Sequence, residues 1–481
     1  MIMMIPINNM DHNFDLPTAL MTSLKSGLNA IDQTLPPNFS SWIAHYQESI
    51  ASLDQPKILL LESDPLKFCA AAIAFFKQGQ GSLFLGNPTW KSKELSQVAQ
   101  LLNPDRLWGS SEITTQWLEV TKDVNNDSPK VTPHWTGEPL IYFPTGGSSG
   151  KIQFATHSLY TLETAVMGLK EFLQAFLPPS GQINSFCVLP LFHVGGWMQW
   201  WRSALTEGQF CVMDYATVKN NLPLIPEDFV TSLVPTQLQY LLDYQPQFLK
   251  KFRVIFLGGA PAWPELLTQT RQLKINLAPT YGATETAGQI STLLPTDFLE
   301  GKSSVGKIIP YAKVVLKPVD LPLKNQQFKL NGKGLIIVRS NSLFLGYYPQ
   351  IEMIKTWQTG DLGELKDDYL QILGRQNRQI ISGGENIDPL EIENWLLNQN
   401  LVKDIVILGL GDRHWGEVVT AVFVPQDQVS LDQILHAVKT HLAPHKCPKH
   451  WLPVPEIRRS PLGKINYAEL QTWAKEQIIS S

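Results

Sequence analysis

The segment PTGGSSGK, Pro144 to Lys151, brings three glycines, three hydroxyls and a lysine together. Glycines let backbone N–H groups approach a phosphate closely, and Thr145, Ser148 and Ser149 add hydroxyl donors. A Walker loop needs Gly at 145 and Ser or Thr at 152. Those places hold Thr145 and Ile152, so that class is disfavoured. A Gly/Ser-rich surface loop has the same composition. In PTYGATE, Pro279 to Glu285, a carboxylate follows a glycine turn with Thr284 beside it, a pair suited to Mg²⁺ and a phosphate oxygen. TGDLGEL (359–365) and LGRQNRQIISGGENI (373–387) supply Asp361, which can accept both hydroxyls of a ribose, and Arg375, which can donate to the same sugar. SPLGKIN (460–466) offers Lys464 after a Pro–Gly turn. Taken singly, Glu285, Asp361, Arg375 and Lys464 are equally solvated turn or surface charges.

The elements that must position these groups read as α/β. The runs 57–63, 82–86, 185–191, 209–214 and 253–259 are short and apolar, as buried strands are, and stretches such as 159–176 between them have helical spacing. Strands alternating with helices imply parallel sheets covered by helices. From about 300 to 373 the pattern turns strand-rich, a β subdomain. Beyond a boundary near Gly374–Asn377, a helical pattern (PLEIENWLL), two strand-like runs, a helix near 431–442 and a polar tail form a separate α+β domain. The expected division is 1–374 and 375–481.

The chain has 481 residues, 39 basic against 43 acidic side chains. That balance argues against general nucleic-acid binding, which needs a basic footprint, but leaves room for a local anion site. Cys69, Cys187, Cys211 and Cys447 are scattered without a C-x-x-C pair, so reduced thiols are expected. The first lysine is Lys25, so the N-terminus lacks the basic region of a secretory signal and a cytoplasmic location is expected. The most apolar stretch, Cys187 to Leu205, contains Pro190, His193 and Arg202, which suits a buried wall better than a transmembrane helix. The oligomeric state is left open, a homo-oligomer included.

In this order and spacing, TGGSSGK, LGGAP (257–261), YGATE, TGDLG, GR and the terminal PLGK resemble the adenylate-forming superfamily. Its members are acyl- and aryl-CoA ligases, adenylation domains of peptide synthetases, and luciferases. The resemblance covers about residues 139 to 466 and implies a large multi-subdomain N-terminal adenylation domain with a small, mobile C-terminal domain. By this resemblance, Thr145, Gly146, Gly147, Ser148, Ser149 and Gly150 would cradle the β- and γ-phosphates of ATP. Thr284 would touch the α-phosphate and Glu285 would hold Mg²⁺. Gly258, Gly259 and Ala260 would line the adenine and acyl pocket, with Tyr281 stacking on the purine beside Gly282. Asp361 and Arg375 would grip the ribose, and Lys464 would reach the α-phosphate and the attacking carboxylate. Asn377 would be the hinge, and Gly383 and Gly384 would line a pantetheine tunnel. Two departures stand out. The phosphate loop of the family usually continues x-Pro-Lys-Gly, whereas here Lys151-Ile152-Gln153-Phe154 follows, so Lys151 substitutes for the missing lysine or the loop binds ATP less tightly. The hinge, more often Asp or Lys, is Asn377.

The implied chemistry joins a small carboxylic acid to a thiol through an acyl-adenylate. With 17 residues after Lys464, a diffusible thiol such as coenzyme A is expected rather than a fused carrier. A stand-alone adenylation enzyme that loads a separate carrier is the alternative. The acyl pocket falls at 189–208, where Phe192, Trp197, Trp200 and Trp201 suit an aryl acid. Arg202 among them either binds a second carboxylate in bidentate fashion or snorkels to the surface or stacks on tryptophan. His193 either faces the substrate or is a core histidine bonded to backbone. This segment, with ISGGENIDPLEIE, is most similar to the o-succinylbenzoate–CoA ligase branch of menaquinone and phylloquinone synthesis. Other aryl or medium-chain acyl-CoA ligases are the nearest rivals.

Overall fold

The computed structural model describes residues 14–122, 137–146, 151–318, 332–378, 380–382, 385–412, 415–442, 444–460 and 463–479. Its architecture is mixed α/β, with a large N-terminal part built on two sheets and a smaller C-terminal part built on a third. In the first sheet the strands Arg106–Gly109, Lys57–Leu61, Ser82–Leu85 and Leu140–Gly146 lie side by side and parallel. Parallel strands are covered on both faces, which is why KILLL and SLFL are almost continuously apolar. The helix Pro65–Gln78 crosses between two of these strands. Asp64 accepts hydrogen bonds from the backbone of Leu66 and Lys67 at its start, Pro65 opens the first turn, and Gly79 stops it at φ 78°.

The fifth strand of this sheet, Ile152–Ser158, runs antiparallel to Leu140–Gly146, pairing Gly146 with Ile152 and Thr145 with Gln153. The loop singled out as a phosphate cradle is therefore the tip of a β-hairpin. The chain turns helical at Leu159, in the stretch 159–176 read as helical from its spacing. Ile152, Phe154 and Thr156 alternate with Gln153, Ala155 and His157 along that strand. Gly147, Ser148, Ser149 and Gly150 lie outside the described residues, as do Gly383 and Gly384.

The second sheet has eleven strands. One half is parallel and runs through Phe210–Val212, Asn184–Cys187, Phe229–Leu233, Val254–Leu257 and Leu277–Ala283. The strand Gly288–Thr292 turns back antiparallel on Leu277–Ala283 and leads into the β-rich subdomain expected near 300–373. There Trp357–Lys366 and Tyr369–Arg375 form a hairpin that faces Asp361 with Arg375. The third sheet starts at Ile380 and is dominated by the pair Val402–Asp412 and Gly416–Pro425. The tail read from sequence as polar is a helix, Tyr467–Ile479. Leu470, Trp473, Ala474 and Ile478 fall on one face and pack on that sheet. No described helix is long and apolar enough to cross a membrane. Cys69, Cys187 and Cys211 are buried free thiols.

Candidate active site

Three backbone devices bring the chemical groups to one cleft. The first is the end of Val254–Leu257. The strand stops at Leu257, so Gly258, Gly259 and Ala260 form the turn after it, where a strand had been expected to line the pocket. Gly259 sits at φ 82°, a conformation a side chain resists. The second is the hairpin from Leu277 to Thr292. Gly282 is extended, and a Cβ there would lie 2.0 Å from the Gly288 carbonyl oxygen. Its role is close strand approach at a bulge; the expected tight turn comes later, in the 3₁₀ segment Thr284–Thr286 that ends on Ala287 at φ 55°. The third is the 357–375 hairpin.

On these supports Tyr281, Asp361 and Arg375 meet. Asp361 is 8% exposed; its Oδ1 accepts from Arg375 Nε and its Oδ2 from the Tyr281 hydroxyl, both at 2.6 Å. Burial, then the Asp361 carboxylate, push the Tyr281 phenol well above its ordinary range, so it stays a donor. Each carboxylate oxygen keeps a further lone pair for a ligand hydroxyl.

Glu285 lies one turn away. Its Oε1 accepts from the Tyr347 hydroxyl at 2.6 Å, and its backbone carbonyl accepts from Phe344 N at 2.9 Å. Tyr347 was not singled out from sequence. A tyrosine 62 residues downstream carries no local signal of that contact. His157 was missed in the same way. Its Nε2 lies 2.8 Å from the Thr284 carbonyl oxygen and its Nδ1 3.0 Å from Thr161 Oγ1. Only an Nε2–H tautomer can donate to a carbonyl, so Nδ1 accepts from Thr161. Burial lowers this imidazole to about 4, which keeps it neutral. His157 thus ties the hairpin that carries the phosphate loop to the Thr284–Glu285 turn.

Lys464 reaches the same cleft from the C-terminal part. Gly463, at φ 71°, packs beside Thr236 and Ala260. The Lys464 side chain retains solvent contact, yet the surrounding protein lowers its pKa, Glu285 opposes that shift and Arg375 adds to it. His193 is brought there too. Burial and then Lys464 lower its ring to about 3, which keeps it neutral, and no hydrogen bond to backbone holds its ring among the described residues. Lys151 and Gln153 are both exposed, on either side of Ile152. Asn377 lies in the 3₁₀ turn Gln376–Arg378, between Arg375 and the third sheet.

The helix Val194–Leu205 separates two expectations. Trp197, Trp200 and Trp201 are fully buried and pack with Phe68, Phe76, Phe143 and Phe210. They are core, and the reading of them as an aryl-binding wall is corrected. Three- and four-residue spacing puts Gly195, Met198 and Arg202 on the opposite face. Arg202 is 5% exposed and neither snorkels nor stacks on tryptophan: its ring neighbour is Phe256, 5.4 Å away. Nη2 donates to Gln289 Oε1 at 3.0 Å, while Nε and Nη1 have no partner. Gln289 is itself held, giving a hydrogen bond to Thr292 Oγ1 and accepting one from the Tyr311 hydroxyl at its carbonyl. Burial lowers the guanidinium to about 10, so it remains charged at neutral pH. A buried cation with one neutral partner and two idle donors is costly unless something anionic completes it.

Two family models match the chain, AMP-binding enzyme over residues 69–348 and AMP-binding enzyme C-terminal domain over 391–464. A 2-succinylbenzoate–CoA ligase of Oceanobacillus iheyensis is 33% identical over 288 residues, 58% of this chain and 58% of that relative's length. An indoleacetate–CoA ligase of Aromatoleum aromaticum is 29% identical over 75% of this chain and 71% of the relative. An o-succinylbenzoate CoA synthetase of Bacillus subtilis, solved with the acyl-adenylate intermediate OSB-AMP, superposes with a TM-score of 0.73 at 23% identity, covering 92% of this chain and 94% of that one.

Proposed function

Since the chain belongs to the AMP-binding enzyme family, we propose that it is an ATP-dependent acid–thiol ligase acting through an acyl-adenylate, with 2-succinylbenzoate as the acid and coenzyme A as the thiol. The observation that carries the substrate is Arg202. Nε and Nη1 are idle, and one of them together with the second N–H of Nη2 can hold a carboxylate in bidentate fashion. An aromatic dicarboxylate offers one carboxylate for activation and a second for this fork. Such a product fits quinone biosynthesis.

In the first step the activated carboxylate attacks the α-phosphorus of ATP and pyrophosphate leaves. Two anions must approach, so Lys464 offsets their repulsion and the charge that develops at phosphorus. Asp361 and Arg375 hold the ribose, and Tyr281 braces Asp361. Glu285 would hold Mg²⁺ together with the substrate phosphates. One carboxylate fits that duty, because this ion is commonly bound by one or two carboxylates plus phosphate oxygens. When bound, the ion supplies Lewis-acid neutralisation of phosphate charge. Thr145 and the loop after it would cradle the phosphates, and Lys151, beyond the hairpin tip, stands in for the usual loop lysine. Residues 375–481 then turn about Asn377, withdrawing Lys464, and the thiol attacks the carbonyl carbon of the adenylate, expelling AMP.

An aryl monocarboxylate is the second reading, favoured by the indoleacetate relative. Thioester formation with ATP and Mg²⁺ is to be compared across 2-succinylbenzoate, benzoate, coumarate, indoleacetate and octanoate. The expected result is strong preference for 2-succinylbenzoate. Preference for a monocarboxylate would keep the ligase and discard the dicarboxylate.

A further inference from the structure

Two arginine–carboxylate pairs in the C-terminal part take no share in the chemistry above. Arg459 Nη2 donates to both oxygens of Asp404, at 2.6 and 2.8 Å. Arg378 Nη2 donates to Glu393 Oε1 at 2.7 Å, the same oxygen that accepts from Ile407 N at 2.7 Å. The second pair is deeply buried, with side chains 15% and 9% exposed. It packs on Tyr467, with the Arg378 guanidinium 4.3 Å from its ring centre. Glu393 and Arg459 also act on this phenol electrostatically. We refer to the two pairs and Tyr467 as one charged knot.

Its place in the chain is what matters. Arg459 enters the Lys464 turn and Tyr467 leaves it. Within the turn, Gly463 N donates to the Ser460 carbonyl at 2.7 Å, Ser460 N to the Lys464 carbonyl at 2.8 Å, and Lys464 N to Ser460 Oγ at 3.1 Å. These bonds tie Ser460 to Gly463 and Lys464, but a turn on a flexible stem aims nothing. A lysine has a long, mobile side chain, so the position of its ammonium is only as good as that of its base. Asp404 lies in the long strand Val402–Asp412, just past a register shift near its start, where regular pairing with Gly416–Pro425 resumes. Arg378 also marks the exit from the 3₁₀ turn that contains Asn377.

We propose that Arg459 and Asp404, backed by Arg378 and Glu393 around Tyr467, are positioning residues that hold both ends of the Lys464 turn and aim its ammonium at the cleft. This rests on the reading of Lys464 as the lysine of the adenylation step. The knot lies wholly within the part that would rotate, so it travels with Lys464 and has no duty in thioester formation.

The test uses the full chain and two half-reactions: ATP–pyrophosphate exchange with 2-succinylbenzoate, and thioester formation from preformed adenylate and coenzyme A. Arg459→Ala and Asp404→Asn should each lower the exchange kcat by about 10²-fold, the scale of a misplacement near 1 Å. KM for ATP and thioester formation should not move. Arg459→Lys should fall between, because an ammonium keeps the charge and loses the fixed planar geometry of the guanidinium. If Arg459→Ala fails to fold, Arg459→Lys and Asp404→Asn carry the test. Unchanged exchange, or equal loss in both half-reactions by folded variants, would overturn the proposal. Lys464→Ala is run in parallel. If it retains exchange, the role given to Lys464 has failed; if it abolishes exchange while the Arg459 and Asp404 variants keep it, the positioning proposal alone has failed.

Discussion

In the cleft, Asp361 binds Arg375 and Tyr281, and Glu285 binds Tyr347. On the far side of the Thr284–Thr286 turn, Arg202 has only the neutral Gln289 as a hydrogen-bond partner among the described residues, with two buried nitrogens left over. Both regions hang from the same hairpin, Leu277 to Thr292. The carboxylates of the cleft are already paired, as the preset donors and acceptors of the proposed nucleotide site should be. The arginine pocket is incomplete, and a missing acceptor is a statement about the ligand. A site built to bond a particular group rejects analogues lacking it, since its own polar atoms would then stay unpaired. On the proposed reading, the general chemistry belongs to the first region and the choice of acid to the second.

That division can be broken at the cleft first. Lys464→Ala should lower adenylation by at least about 10³-fold, the upper range for loss of one group that stabilises a developing charge. It should leave thioester formation from preformed adenylate intact. Pyrophosphate exchange and a direct thioester assay read the two steps, and equal loss in both would remove the division between conformations.

A smaller effect tests whether the cleft is prebuilt. His157 is neutral and buried, with its folded value near 4 against an ordinary 6.5. Between those values the unfolded chain binds more protons than the folded one, so stability rises with pH through the window and is complete above 6.5. The loss on acidification should be about 3 kcal/mol at pH 4. His193, lowered to about 3, adds in the same direction. Thermal unfolding from pH 4 to 7 should show this slope, and His157→Gln, which keeps an N–H for the Thr284 carbonyl, should flatten it. An identical slope in the variant would place the acid sensitivity elsewhere.

Smallest is Tyr347→Phe. Removing one hydrogen bond to the Glu285 carboxylate should cost about tenfold in kcat/KM for ATP at limiting Mg²⁺, less at saturation. Titration of Mg²⁺ against exchange rate measures it. No dependence on Mg²⁺ would separate Tyr347 from the ion.

Much of this was legible in the chain because it is local. The apolar runs at 57–63 and 253–259 and the strand-rich interval beyond 300 follow from residue type and short spacing. Glu285, Asp361, Arg375 and Lys464 stood out only because their motifs, in order, resemble the adenylate-forming superfamily. What sequence hid is non-local. His157 meets Thr284 across 127 residues, and Tyr347 meets Glu285 across 62. The tryptophans misled because an aromatic run names neither face of its helix; Phe68 and Phe76, far upstream, decide that they are core. Gly282 misled because a glycine can serve a turn or a close approach, and only Gly288 across the hairpin tells which. The last helix escaped because its polar face outnumbers the few residues that pack.

The central claim is that Arg202 selects a second carboxylate. It is tested most directly by kcat/KM for 2-succinylbenzoate and for indoleacetate, in the wild type and in Arg202→Met, which keeps bulk and removes charge. The account predicts that the variant loses about 10²-fold with the dicarboxylate, the worth of a charge-assisted pair, and nothing with the monocarboxylate. Equal losses with both acids, or an unchanged preference, would contradict it and return Arg202 to the scaffold.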